Sequence, residues 1–115
     1  MKHSTFNYVR THRRRFAFSE EELAFLLNQR AQSAVAQFEN GDRVPSLKCA
    51  FALQVLFRLR PHHMYPDLYE HVEDGVMRRA AQLIEDLESK ADKRSVAKRE
   101  FLEALARGED SDLEV

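Results

Sequence analysis

A serine and a glutamate three residues apart, Ser19 and Glu22, form a helix start signal. In such a capping box the serine hydroxyl accepts a hydrogen bond from the glutamate amide, and the glutamate carboxylate accepts one from the serine amide. The pair predicts a helix that begins at about residue 20. Leu23, Leu26 and Leu27 then face inward together, because residues three and four apart share one side of a helix.

Similar signals place helices along the rest of the chain. Gly41 predicts the end of a helix over residues 32–40, because a left-handed glycine commonly follows a last helical turn. Ser46 precedes a mostly apolar segment that reaches about residue 58, which we expect to be the central core helix, apolar on most sides. Further helices are predicted over residues 6–16, 67–89 and 95–107, with a short turn between Pro61 and Pro66.

The chain has only 3 Gly and 3 Pro among 115 residues, a composition that favours helices joined by short turns. We therefore expect an all-α fold. This length suits one modest core with an extension better than two ordinary domains. The expected organisation is a helical domain over residues 1–66, an extension of one or two helices over residues 67–107, and a disordered acidic tail over residues 108–115.

The charge of the chain is divided sharply between its two halves. Residues 1–60 hold 10 Lys and Arg against 5 Asp and Glu, a local charge of +5, whereas residues 61–115 hold 8 against 14, a local charge of −6. The net charge of −1 hides this division. A nucleic-acid-binding surface is a local basic patch, so the first half is the candidate for such a surface.

The sequence favours a protein of the cytoplasm. Its longest apolar run, residues 49–53, is far shorter than the roughly 20 residues that cross a bilayer. No apolar secretory segment follows the first residues. The single cysteine, Cys49, has apolar neighbours and is expected to be a buried packing residue rather than a nucleophile.

The predicted helix over residues 32–40 has two different faces. Val35 and Phe38 point to a core. The opposite face carries a strip that is uncharged, short and rich in hydrogen-bonding groups, made of Ser33, Ala36, Gln37 and Asn40.

Three segments of the first half resemble the Xre/Cro family of helix-turn-helix regulators. They are residues 19–24 (SEEELA), 33–41 (SAVAQFENG) and 44–47 (VPSL), and the likeness extends over about residues 6–72. Residues 59–72 are also similar to the region after the fourth helix in one branch of that family. The resemblance implies a five-helix, lambda-repressor-like domain followed by one or two C-terminal helices. The third helix of such a domain enters the major groove of double-stranded DNA. It implies a transcriptional regulator, most simply a repressor, and neither an enzyme nor a cofactor-dependent protein.

The resemblance also assigns site residues. Base contacts are expected from the start and outer face of the third helix, at Gln32, Ser33, Ala34, Ala36 and Gln37. Phosphate contacts are expected from Arg10, Arg14, Arg30, Asn40 and Arg43.

Some positions have other roles or depart from the family pattern. Glu39 is expected to bond structural groups rather than DNA. Glu20 stands where relatives often carry a phosphate-binding glutamine, so it is not assigned that role. Asn28 replaces a usual glycine in a turn that is one residue longer than in the commonest members.

Two other classes of function are weighed against DNA binding. The chain could be a protein-interaction module, such as the antitoxin of a toxin–antitoxin pair, with its acidic half covering a basic partner, or a helical adaptor without DNA affinity. A metal site at His62, His63, Asp67 and His71 is disfavoured, because the spacing fits no common zinc pattern. The sequence has no Gly-rich phosphate loop and no nucleophile motif.

The second half predicts a homodimer. It carries more apolar surface than a five-helix domain needs, at Leu68, Val72, Val76, Leu83, Leu87, Phe101, Leu102 and Leu105. A second copy would cover this stripe and place two recognition helices about 34 Å apart on DNA. The alternative is that the last two helices fold back as a hairpin on their own domain.

Overall fold

The computed structural model of the chain describes residues 5–109, and within that range every regular element is a helix. The all-α prediction is therefore confirmed. The helices are α1 Val9–Arg15, α2 Glu20–Leu26, α3 Gln32–Asn40, α4 Leu47–Phe57, α5 Pro61–Met64, α6 Pro66–Leu87 and α7 Lys93–Ala106.

The predicted helix ends of α2, α3 and α4 are confirmed by their caps. The Ser19 hydroxyl accepts from the Glu22 amide at 3.0 Å, and the Glu22 carboxylate accepts from the Ser19 amide at 2.9 Å. This bond lowers the pKa of the Glu22 carboxyl below its ordinary value, because it stabilises the charged form. Ser46 caps α4 in the same way, accepting from the Cys49 amide at 3.2 Å. Gly41 ends α3 with a φ of 78°.

Three other boundaries differ from the prediction. Helix α1 begins at Val9, where the Asn7 side chain accepts from the first helical amide at 3.1 Å. The segment after Pro61 is a short helix rather than a turn, with proline in its first turn. Helix α7 begins at Lys93 rather than at about residue 95, because Asp92 is its cap, and the Asp92 carboxylate accepts from the Ser95 amide at 3.1 Å.

The expectation that α4 is the central core helix is confirmed for one side of the helix only. One face, at Cys49, Leu53 and Phe57, belongs to the core. The opposite face carries large apolar side chains that are exposed, at Leu47, Phe51 and Val55. Apolar composition on all sides of a helix predicts burial only where neighbouring elements cover every side, and none of α1, α2, α3 and α5 covers the outer side of α4.

The chain divides into two compact units, the first ending at Glu70 and the second beginning at His71. The first unit contains the main apolar core, to which α1 to α5 all contribute. Its buried residues are Val9, Leu23, Ala24, Leu27, Ala34, Val35, Phe38, Cys49, Leu53, Phe57, Met64 and Tyr65. Cys49 is a free, buried thiol, and burial raises its pKa because the thiolate would lose hydration.

The second unit has few buried side chains of its own. Ala80 and Leu87 of α6 and Ser95 of α7 are buried. The Arg99 guanidinium on α7 donates to the Glu88 carbonyl at 3.5 Å and pairs with Glu103 at 3.3 Å. Within residues 5–109 no helix combines the length and the apolar character needed to span a bilayer. Most of the predicted acidic tail, residues 110–115, lies outside the described residues.

Tyr65 provides a test of the core. Its hydroxyl is buried and has no hydrogen-bond partner among residues 5–109. Burial raises the pKa of this phenol well above its ordinary value. We predict that Tyr65→Phe raises the free energy of unfolding by about 1 kcal/mol, because it removes a buried polar atom without a partner. Urea unfolding followed by circular dichroism measures the change.

Tyr69→Phe is the matched control, because Tyr69 is half-exposed whereas Tyr65 is buried. The control should leave the stability unchanged. A loss of stability in Tyr65→Phe would contradict the assignment, since it would mean that the hydroxyl has a hydrogen-bond partner.

Candidate nucleic-acid interface

Helix α3 turns one face into the core of the first unit and leaves the other open. Ala34, Val35 and Phe38 are buried, and α3 packs mainly on α2, with a smaller contact to α1. Gln32, Ser33 and Gln37 are exposed, and Ala36 is intermediate in burial. The predicted base-contact residues other than Ala34 therefore share an accessible, uncharged surface, which we call the α3 strip.

Ala34 is a correction to the predicted base contacts. Its side chain is only 6% exposed and belongs to the core cluster. A methyl group that packs against core side chains is not free to touch a thymine methyl group in the groove. Sequence position at the start of the helix suggested the contact, but the helix turns this residue inward beside Val35 and Phe38.

A buried carboxylate joins α3 to α1. The Glu39 side chain is 1% exposed, and its two oxygens accept from the guanidinium groups of Arg10, at 3.2 Å, and Arg13. The Arg13 side chain is itself only 12% exposed, and its Nη1 donates to the Phe18 carbonyl at 3.0 Å. The bond to Glu39 raises the pKa of the Arg13 guanidinium. As predicted, Glu39 bonds protein groups.

Asn7 is a positioning residue that the sequence analysis missed. Its side-chain amide donates to the Phe38 carbonyl at 2.8 Å and to the Thr5 carbonyl at 2.9 Å. Its oxygen accepts from the Val9 amide. One side chain therefore starts α1 and holds the end of α3. The only signal in the sequence was an asparagine two residues before a helix, a residue type that commonly bonds local backbone.

The turn between α2 and α3 takes its direction from a left-handed asparagine. Asn28 has a φ of 56°, and the next amide, that of Gln29, donates back to the Ala24 carbonyl at 2.8 Å. Asparagine tolerates this conformation better than most residues, which explains how it replaces the usual glycine. At the start of α3, Ala31 offers no side-chain cap.

The predicted phosphate-contact residues are all on the surface, but they are not equally free. Arg14 and Arg30 are exposed. The Arg43 guanidinium lies over the Phe38 ring, 5.4 Å from its centre, and this contact holds the cation beside the end of α3. Arg10 is 46% exposed, and it donates to Glu39 and, at 2.7 Å, to the Asn40 side-chain oxygen. Arg10 and Asn40 therefore already bond each other.

Two histidines outside the α3 strip lie close together. The rings of His62 and His63 lie 4.0 Å apart, and His62 also contacts the Tyr69 ring. Among residues 5–109 no three His, Cys, Asp or Glu side chains come together as a metal-binding group.

No family model, curated protein or solved structure matched the chain when it was compared with known proteins. What the α3 strip binds is therefore inferred from its geometry and charge, and from the sequence resemblance.

The Glu39 cluster generates a stability prediction. Glu39→Gln should lower the free energy of unfolding by roughly 3 kcal/mol, because it removes the charge that neutralises the largely buried Arg13. The partly exposed pair of Arg99 and Glu103 on α7 provides the control, and Glu103→Gln there should lower the free energy of unfolding by no more than about 0.5 kcal/mol. Urea unfolding measures the free energy of unfolding of both variants and of the wild-type protein. Equal, small effects would mean that the buried pair does not hold α1 to α3.

Proposed function

We propose that the chain is a sequence-specific regulator of transcription, most simply a repressor, that binds double-stranded DNA through a helix-turn-helix made by α2 and α3. The observation that carries the proposal is the two-sided character of α3. Its inner face is locked by core packing and by the Glu39 cluster, while its outer face offers uncharged hydrogen-bonding groups. A rigid helix with exposed short polar side chains suits direct contact with base edges.

The α3 strip has the chemistry to distinguish bases. A glutamine amide can bond bidentately to adenine, and a serine hydroxyl can donate or accept at either kind of base. We assign these roles to Gln37, Gln32 and Ser33. The Ala36 methyl group, which is partly accessible, is assigned to contact with thymine methyl groups.

The cations around α3 supply contacts that do not depend on sequence. Arg14, Arg30 and Arg43 are assigned to phosphates, because contacts that flank a recognition helix set its register on the duplex. Arg10 and Asn40, which are hydrogen-bonded to each other, are also assigned to the DNA backbone. The remaining N–H groups of the two side chains can donate to one phosphate. The charge of +5 over residues 1–60 favours this surface, and the charge of −6 beyond it directs the rest of the chain away from DNA.

We also propose that two copies pair through the second unit. The expected stripe is partly buried at Leu68 and Leu102 and fully buried at Leu87. Its other members are exposed, at Val72, Val76, Leu83, Phe101 and Leu105. Exposed apolar residues along one long helix are typical of a partner-binding face. Two modules on one duplex would also bury enough surface for tight binding, which a single module rarely does.

A second candidate function uses the same surface. Acidic residues such as Glu73 and Asp74 are exposed beside Val72 and Val76 on α6. An acidic and apolar surface suits a basic protein partner, as in the antitoxin of a toxin–antitoxin pair. A full-length chain that stays monomeric at micromolar concentration would favour this candidate over the homodimer.

Binding measurements separate the two kinds of contact on DNA. The operator is sought first in the DNA upstream of the chain's own gene. Gln37→Ala should weaken the free energy of binding to the operator by about 1 to 3 kcal/mol, and it should weaken binding to random DNA much less. Arg30→Ala should weaken binding to both DNAs alike. It should also reduce the slope of the logarithm of the binding constant against the logarithm of the salt concentration by about 1 per bound copy. Fluorescence anisotropy at several salt concentrations measures both.

If the two variants behave alike on both DNAs, the assigned roles are wrong. An affinity that does not change with salt would exclude phosphate binding as the main source of affinity.

The homodimer has its own test. Val76→Lys should dissociate the dimer at micromolar concentration, because it places two ammonium groups in the contact. Glu85→Lys, which is exposed on the opposite side of the same helix, is the control and should leave the dimer intact. Sedimentation velocity gives the masses. A Val76→Lys variant with the mass of the wild-type dimer would place the contact elsewhere.

A further inference from the structure

The outer face of α4 is an apolar surface without a covering element in its own unit. Leu47, Phe51 and Val55 are 69%, 54% and 79% exposed. They stand four residues apart, so they line up along one side of the helix, and we call them the α4 stripe. Neither the core nor the proposed DNA contacts use these side chains.

We propose that the α4 stripe binds a second copy of this chain, with the two α4 helices packed antiparallel about Phe51. This contact is additional to the proposed pairing through the second unit, and it does not depend on DNA binding.

The spacing of the stripe makes it complementary to itself. In a two-fold contact, if one residue of the first copy contacts another in the second, the reverse contact also forms. Phe51 has one aliphatic residue four positions before it and one four positions after it. Antiparallel packing therefore puts the two Phe51 rings together, and it puts Leu47 of each copy beside Val55 of the other.

Charge also favours a second copy over an acidic or basic partner. The only charged residue within α4 is Lys48, and the stripe itself has none. Two copies can therefore pack the three side chains of the stripe together without burying a charge, whereas a charged partner would find Lys48 as the only charge on this helix. The most exposed phenylalanine of the first unit shows the contrast. Phe25 is 82% exposed, but it lies in a shallow groove beside Glu21 and Glu22, where two copies would repel each other.

The size of the stripe sets the strength of the contact. Three side chains exposed to this extent present on the order of 300 to 400 Å², comparable with the largest apolar patch on a typical monomer. A symmetric pair would bury roughly 700 Å² in total, less than the roughly 1,200 Å² at which stable specific interfaces begin. The contact is therefore weak and reversible, and the fraction of chains that form it rises with protein concentration.

Sedimentation equilibrium of the full chain, from micromolar to millimolar concentration, tests the proposal. The Val76→Lys background is used so that the contact through the second unit does not contribute. We expect a reversible step from monomer to dimer in this background. Adding Phe51→Lys should weaken that step at least about tenfold, because two ammonium groups would meet on the two-fold axis. Adding Phe25→Lys should change it by less than about twofold. Circular dichroism shows whether each variant is folded.

A charge exchange tests the antiparallel register and does not alter the partly buried Phe51. Val55→Lys alone should weaken the step. The double variant L47E/V55K should recover most of it, because opposite charges then face each other twice across the axis. Recovery would support the proposal, and a double variant as weak as Val55→Lys would overturn the antiparallel pairing.

The proposal also fails if no concentration-dependent step occurs, or if Phe51→Lys and Phe25→Lys have equal effects. These outcomes are independent of DNA binding. A chain that associates through α4 but binds no DNA would contradict the proposed function alone.

Discussion

The first unit depends on how it accommodates one buried carboxylate. Glu39 is almost fully removed from water, so its charge must be paired, and two guanidinium groups from α1 pair with it. Arg10 and Arg13 are three residues apart, so they project from the same side of α1 toward the end of α3. Asn7 adds a bond from just before α1 to the Phe38 carbonyl. Together these contacts hold α1 and α3 in one arrangement.

This constraint determines what α3 can offer to a ligand. Because its inner face is fixed by packing and its last turn by the Glu39 cluster, the outer side chains have a defined direction. The strip they form has no charge, whereas exposed arginines lie before it, beside it and after it. Uncharged groups at the centre and cations around them suit a ligand whose edge carries specific hydrogen-bonding groups and whose backbone is anionic. Double-stranded DNA has both properties.

The sequence was sufficient where local chemistry decides the structure. Ser19, Ser46 and Gly41 mark helix ends through bonds or dihedral angles that involve only a few neighbouring residues, and the structure has these ends. It was insufficient where the result depends on which element covers which face. Apolar residues surround α4, but only the side facing the core is buried, and Ala34 turns inward although it lies among residues of the outer strip. The contacts of Asn7 and Arg13 were also beyond sequence reasoning, because they join residues about 30 positions apart.

Selection from a pool of random double-stranded DNA by the full-length protein tests the central claim most directly. If the α3 strip contacts base edges, repeated rounds of binding should enrich one motif, and a pairing of two copies should give two half-sites about 10 base pairs apart. Selection with the Gln37→Ala variant should then relax the preference at one position of each half-site and leave the others unchanged. A wild-type protein that enriches no motif would contradict the account, and so would a motif that Gln37→Ala leaves entirely unaltered.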